Sequence, residues 1–450
     1  MSMLDRIPKE VEGLARRLEE RGKRAWIVGG CVRDLLLGRE VSDWDLCTDA
    51  LPAELMKIFP RAIPTGIAHG TVTVMVSGKG YEITTLRGET TYSDGRRPDA
   101  VHFTDDIVAD LARRDFTINA IALDPKSGVL IDPFDGQRDL AARTLRAVGD
   151  PRERFSEDGL RVLRAARFVA TLEVELEPQT RAAIAPTLDT YRKVSMERVR
   201  DEWLKAMKAK RPSRAFDVMR ETGILGITCP ELLEGYGMEQ NRWHAYDVWR
   251  HGMECMDACT GDPVLRVAAL LHDVGKPRSR AFSEKTQDYT FYDHERIGAE
   301  IADPIAARLK FSNDERARIV DLVKHHLFHY TDEWSDAAVR RWIRRVGPNR
   351  VEDLYLLNEA DVRGKGRDFT ADLQALEALK AHVKKVREAG DALSVRELKI
   401  NGHDLMRDAG VPAGPAIGRV LNQLLEEVLA DPSLNERERL LSRARELASS

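Results

Sequence analysis

Trp26-Ile27-Val28-Gly29-Gly30-Cys31-Val32-Arg33-Asp34, followed by Asp43-Trp44-Asp45, decides the reading of this chain. An apolar run enters a Gly-Gly turn, which predicts a strand over 25–30 and a short helix over 31–37. A second strand, predicted over 41–47, then carries two carboxylates. Strand side chains alternate with period two, so Asp43 and Asp45 share one face and Trp44 points to the other. Carboxylates so placed can hold Mg²⁺ beside a triphosphate, because hard divalent cations prefer oxygen ligands and paired metals serve in-line phosphoryl transfer. Gly29 and Gly30 lack Cβ and let backbone N–H groups approach phosphates at a helix N-terminus. A surface D-x-D beside a turn has the same spacing. The coupling to Gly-Gly-x-Val-Arg-Asp favours the metal.

The 450 residues are too many for one core, and three or so domains are expected. Hydrophobic content of 43% with 32% charged residues fits a soluble globular protein. No apolar run reaches the roughly 18 residues of a membrane span. Residues 1–24 read as a charged amphipathic helix with Ile7, Val11, Leu14 and Leu18 on one face, not as a signal peptide. Five scattered cysteines (31, 47, 229, 255, 259) form no disulfide pattern, so a reducing cytoplasm is expected. Cys255 and Cys259, one helical turn apart, read as core residues. The net charge of −4 argues against indiscriminate nucleic-acid binding. Yet Arg138 to Arg214 carries 18 Lys/Arg against 12 Asp/Glu, as a localised RNA groove would. A solvated helical face gives the same count.

Leu51–Phe59 is predicted as a helix, and two strands follow, over 71–76 and 81–86, joined by Ser77-Gly78-Lys79-Gly80. From Phe155 onward the pattern is helical, and no tandem repeat is present. The tail ends in an amphipathic helix with Ile417, Val420, Leu421, Leu424, Leu425 and Val428 on one face. Residues 86–103 form a polar loop in which Glu89, Asp94, Arg96 and Arg97 could move over a bound nucleotide. In Arg113-Arg114-Asp115-Phe116-Thr117-Ile118-Asn119, the arginines offer planar forks for phosphate and Asp115 could accept from a ribose hydroxyl. A solvated helix start with Asp115 near an N-cap is the plain alternative. Asp132-Pro133-Phe134-Asp135-Gly136 with Asp139-Leu140 reads as a turn joining head to helices.

Glu157-Asp158-Gly159-Leu160-Arg161-Val162-Leu163-Arg164 discriminates best. On a helix, Asp158 and Arg161 lie at i,i+3 and face one way, with Arg164 a turn further. A carboxylate accepts hydrogen bonds and a guanidinium only donates them. Cytosine and adenine show an amino donor beside an unprotonated ring nitrogen; uracil and guanine show the reverse polarity. Such a pair can therefore select C and A, because a mismatch leaves buried polar groups unpaired. An ordinary i,i+3 salt bridge has the same spacing.

These segments, in this order, resemble the class II tRNA nucleotidyltransferases (CCA-adding enzymes) and the related bacterial poly(A) polymerases, strongly over residues 20–230 and more weakly from about 395. The matching residues are Gly29, Gly30, Arg33, Asp34, Asp43, Asp45, the Arg-Arg-Asp at 113–115, and Glu157-Asp158-x-x-Arg161. The resemblance implies an α+β fold: a polymerase-β-like mixed-sheet head (1–145), a helical neck (146–235), an HD-type helical domain (236–375) and a helical tail (376–450). It implies catalytic Mg²⁺ on Asp43 and Asp45, a nucleotide site including Arg114, Asp115, Asn119, Asp158, Arg161 and Arg164, and Asp158 with Arg161 as an amino-acid template for CTP and ATP. The loop at 87–103 looks like the family's flexible loop. The implied activity is untemplated addition of C and A to the tRNA acceptor arm with release of pyrophosphate; an A-adding or poly(A) enzyme is the alternative.

Downstream, His251, His272-Asp273, His294-Glu295, His325-His326 and Asp361 spread imidazoles and carboxylates over several helices, a donor set for one or two transition metals. Their order resembles the HD-domain metal-dependent phosphohydrolases. The ligand set is written with His325, although spacing does not separate it from His326. An HD phosphohydrolase with a nucleotide-binding head is the rival reading from another reaction class.

Overall fold

The computed structural model describes residues 3–88, 102–389 and 393–449. Contacts divide the chain into two compact units, Met1–Pro230 and Glu231–Ser450.

The first unit begins with helix α1 (Lys9–Glu19), shorter than the predicted 1–24 because Pro8 stands at its N-cap and a 3₁₀ turn, Leu4–Arg6, precedes it. Its sheet has seven strands: β1 (Ala25–Val28), β2 (Asp45–Thr48), β3 (Ala62–Gly66), β4 (Thr71–Val76), β5 (Lys79–Thr85), β6 (Ala122–Leu123) and β7 (Leu130–Ile131), in the order β3-β4-β5-β2-β1-β6-β7. Only the β2–β5 pairing is parallel, which makes the sheet mixed. All four residues of β1 are buried because both faces of the sheet are covered. Ile27 and Leu46 pack with Val11, Leu14 and Leu18 of α1, while Trp26, Val28 and Cys47 pack with Leu111 and Ala122 on the opposite face.

Besides α1, three elements differ from the sequence reading. Strand β3 was not expected: it is an edge strand, largely exposed and containing Pro64, so it carries no alternating pattern. The carboxylate strand starts at Asp45, where its ladder with Glu82 of β5 begins, leaving Asp43 on the approach to it rather than within it. The turn expected over 132–140 becomes a helix from Gly136, because Asp132 accepts the N–H groups of Gly136 (2.7 Å) and Gln137 (2.9 Å) and so caps it.

After the sheet the first unit is helical apart from a short parallel pair, Thr144–Leu145 with Glu175–Leu176. The second unit is also built mainly of helices, apart from the hairpin Ala281–Ser283 with Asp288–Thr290. Its cores centre on Trp342, Leu354 and Leu379, and on Leu405, Leu424 and Leu441. All five cysteines are free and buried. Among the described residues no helix is long and apolar enough to cross a membrane.

Candidate active site

A cavity of about 680 Å³ in the first unit gathers most of the predicted site: Gly29, Gly30, Arg33, Asp43, Asp45, Arg114, Asp115, Asn119, Asp158, Arg161 and Arg164 all line it. Trp44 is buried in the core, so the carboxylates flanking it face outward. Asp43 and Asp45 are exposed, and among the described residues neither makes an ion pair; Asp43 accepts only from Ser42 Oγ at 3.1 Å. Asp45 titrates above the usual carboxylate range, first because surrounding protein desolvates it, then because Glu82 and Asp43 repel it, with Arg114 opposing. A concentration of negative charge with no paired side-chain cation is what a divalent ion fits. Glu82 was missed by the sequence reading, since only the sheet register brings it beside Asp45.

Gly29 has φ +80° at the start of the helix Gly30–Leu36, and a Cβ there would lie 3.0 Å from a guanidinium nitrogen of Arg114. Glycine thus admits both the turn and Arg114. Arg33 donates to Asp34 (3.0 and 2.9 Å) and to Asn119 Oδ1 (2.7 Å); Arg114 donates to Asp110 (3.1 Å). Asp115, 8% exposed, is no solvated N-cap. It accepts from the Phe116 N–H (2.9 Å), Asn119 Nδ2 (3.1 Å) and Arg164 Nε (2.8 Å). Burial alone would raise its pKa, but Arg164, Asn119 and Arg161 outweigh that and hold it down at about 2.

The expected helical pairing of Asp158 with Arg161 does not form. A helix ends at Glu157 and the next begins at Leu160, so Asp158 sits in extended backbone between them (φ −139°, ψ 107°). Its carboxylate accepts from the Leu160 N–H at 3.0 Å and from the Arg198 guanidinium at 2.9 and 3.4 Å. Arg161 instead donates to Glu157 (2.5 Å) and to the carbonyls of Arg154 (2.8 Å) and Arg113 (2.9 Å). Directly after the break only glycine fits, since a Cβ at Gly159 would stand 2.5 Å from the Thr190 carbonyl oxygen. Arg198 lies forty residues from its partner, beyond any local spacing signal. Phe168 is flanked by Arg33, Arg164 and Arg167, with guanidinium carbons 5.5, 5.3 and 3.9 Å from its ring centre. Glu89, Asp94, Arg96 and Arg97 lie outside the described residues.

The second unit assembles His251, His272, Asp273, His294 and Asp361 as expected, but with His326 in place of His325. His326 Nε2 lies 3.3 Å from His294 Nε2, whereas His325 is the last residue of the helix Asn313–His325 and only half-buried. The Nδ1 atoms of His272, His294 and His326 each lie 2.7 Å from a backbone carbonyl, of Ala269, Phe291 and Val323. Those carbonyls orient the rings so that all three Nε2 atoms converge, where a cation would take their lone pairs. His326 is kept neutral, its pKa pulled down to about 3 by burial and then by His272. Asp273 spans the cluster: Oδ2 is 3.2 and 3.1 Å from the Nε2 atoms of His251 and His272, and Oδ1 is 3.4 and 3.8 Å from those of His294 and His326. Asp361 Oδ1 lies 3.0 Å from His251 Nε2. Asp273 Oδ2 is buried and receives no well-directed hydrogen bond among the described residues, although Lys276 Nζ is 2.6 Å away. A buried carboxylate oxygen amid converging imidazole nitrogens fits a metal ion. His244 joins the group with His251 and Asp273; as a lone histidine in a loop it carried no sequence signal.

Residues 25–146 match the family model described as Poly A polymerase head domain. Residues 173–235 match "Probable RNA and SrmB- binding site of polymerase A", and 296–444 match tRNA nucleotidyltransferase domain 2. The CCA-adding enzyme of Ligilactobacillus salivarius is 33% identical over 449 residues, 99% of this chain and 98% of that protein. That of Lactobacillus delbrueckii subsp. bulgaricus is 49% identical over 216 residues, 48% of this chain and 54% of its own length. Among solved structures, the Bacillus stearothermophilus CCA-adding enzyme in complex with CTP is similar with a TM-score of 0.72 at 28% identity, over 97% of this chain and 96% of that one.

Proposed function

The chain belongs to the class II CCA-adding enzymes, nucleotidyltransferases that complete tRNA 3′ ends from CTP and ATP without a nucleic-acid template, and we propose that Asp43 and Asp45, supported by Glu82, are the carboxylates that carry this reaction. The observation that carries the assignment is the cluster of solvent-facing carboxylates at one cavity with a wall of guanidinium groups. Its oxygen-only donor set fits Mg²⁺. Asp43 and Asp45 would hold the ion, which would supply Lewis acidity toward the RNA 3′-hydroxyl and the departing pyrophosphate. Arg33, Arg114 and the Gly29–Gly30 backbone orient the triphosphate, and Asp115 the ribose. Asp158 accepts from the exocyclic amino group of cytosine or adenine, and Arg161 donates to the adjoining ring nitrogen. The basic helices after Arg138 hold the acceptor arm by shape and phosphates. Tightly buried free cysteines fit action in the cytoplasm.

Labelled CTP or ATP supplied with tRNAs ending before C, CC and CCA tests this reading. Asp45→Asn is expected to lower incorporation at least a thousandfold while leaving the melting temperature unchanged or higher, because a repelled carboxylate is removed. Near-normal incorporation removes the assignment, and product lengths separate CCA addition from A-addition or poly(A) synthesis.

A second reading is favoured by the converging Nε2 atoms in the other unit: His251, His272, Asp273, His294, His326 and Asp361 would hold one or two transition metals. Such ions supply Lewis acidity toward a phosphoester. Metal content of the purified chain and of Asp273→Asn, with hydrolysis of a 2′,3′-cyclic phosphate, tests it.

A further inference from the structure

We propose that the buried carboxylate of Asp110 positions Arg114 for the triphosphate, and so sets nucleotide affinity without touching the nucleotide. The proposal rests on the reading of the cavity in the first unit as the nucleotide site and adds what holds one of its arginines.

Asp110 stands in the last turn of the helix Ile107–Ala112 and is fully buried. Three arginines that line the cavity, Arg87, Arg113 and Arg114, converge on it. Oδ1 accepts from the Arg87 backbone N–H (3.1 Å) and from Nε of Arg113 (3.0 Å) together with one of its terminal nitrogens. Oδ2 accepts from a terminal nitrogen of Arg114 (3.1 Å). The two guanidinium groups reach back to it at i,i+3 and i,i+4. Burial alone would raise the Asp110 pKa, but Arg113 and then Arg114 outweigh it and hold the carboxyl below its ordinary range.

The two neighbouring arginines use their donors differently. Arg113 commits Nε and a terminal nitrogen to Asp110, and its carbonyl accepts from Arg161 (2.9 Å). Arg114 makes a single hydrogen bond among the described residues, to Asp110. A guanidinium carries five N–H donors and no acceptor. The Arg114 Nε is buried with no partner among the described residues, and its other terminal nitrogen lies 3.0 Å from where a Cβ would stand on Gly29. An arginine that merely closed the core would leave no desolvated donor idle. A fork held at one corner beside the Gly29–Gly30 turn, with donors to spare, suits an anion of several oxygens. Asp110 fixes that corner and cancels one of two adjacent positive charges, which would otherwise drive the forks apart.

The test measures calorimetric affinities of the full chain, with Mg²⁺ and without RNA, for CTP, CMP and inorganic pyrophosphate, beside KM and kcat for incorporation into tRNA. Asp110→Asn keeps the shape and removes the charge; Asp110→Ser is read by the same criteria should Asp110→Asn not fold. The expected result is a tenfold or greater loss of affinity for CTP and pyrophosphate, with CMP within threefold of wild type. KM for CTP and ATP should rise about tenfold while kcat stays within threefold. Equal losses for CTP and CMP mark a carboxylate that only supports the fold and overturn the proposal, as does unchanged CTP affinity. In an Arg114→Ala background, Asp110→Asn should cost less than twofold more, because residues acting through one group are not additive. Additive losses overturn the route through Arg114. Wild-type CTP affinity in Arg114→Ala alone refutes Arg114 as a triphosphate ligand, and the proposal falls with that reading.

Discussion

Asp158 shows how far a single residue can be read from its neighbours. Its type and its place beside Arg161 pointed to base selection, and both line the cavity. The pairing itself was misjudged because the helix is interrupted at Asp158, and the partner that occupies the carboxylate, Arg198, comes from a distant helix, Met196–Ala206. A base amino group approaching Asp158 must share or displace that guanidinium. Arg198→Ala is therefore expected to loosen Asp158, lowering kcat/KM for both CTP and ATP about tenfold and eroding rejection of UTP and GTP, whereas Arg198→Lys retains most selectivity. Competition assays with the four nucleotides decide it; unchanged discrimination in Arg198→Ala ends the argument. At the same scale, Asp115 sets a pH dependence. Its folded pKa of about 2 lies below the ordinary carboxylate value. Its contribution to stability is therefore fully present above about pH 4 and is lost as pH falls through about 2. The shift corresponds to about 2 kcal/mol. Urea denaturation between pH 5 and 2 should fall more steeply for the wild type than for Asp115→Asn, by roughly that amount.

At the scale of elements, legibility followed burial pattern. Strands β4 and β5 alternate in burial and were found within two residues, and β1, buried on both faces, announced itself as an apolar run. Edge strand β3 could not be read, since exposure removes the pattern. The helix boundary at Asp158 escaped for another reason: the residue after it packs so closely on the Thr190 carbonyl, thirty-one residues away, that only glycine fits, a contact no local propensity encodes. This gives an element-scale expectation. Gly159→Ala should push the start of the helix Leu160–Thr171 away from Thr190 and destabilise the chain by about 2 kcal/mol or more. Because Arg161 and Arg164 ride on that helix, nucleotide KM should rise as well. A denaturation midpoint equal to wild type would show that the backbone yields without loss.

At the scale of the whole molecule, two donor sets of different chemistry stand in two compact units. The head offers exposed carboxylate oxygens, hard donors that exchange ions readily; the second unit offers buried imidazoles whose rings are locked by backbone carbonyls. Both donor sets were visible in the sequence, apart from Glu82, His244 and the choice of His326, each of which depends on a register or a helix end. The difference in hardness and burial predicts separable behaviour. Prolonged treatment with a strong chelator, followed by its removal and addition of Mg²⁺ alone, should restore nucleotide incorporation fully while the second unit stays free of transition metal. Asp273→Asn should lose that metal and keep incorporation within twofold of wild type. Elemental analysis alongside the incorporation assay reads both sites in one sample. If Mg²⁺ alone fails to restore addition, and zinc or manganese is needed in stoichiometric amount, then the imidazole cluster takes part in making the tRNA end and the two chemistries are not independent.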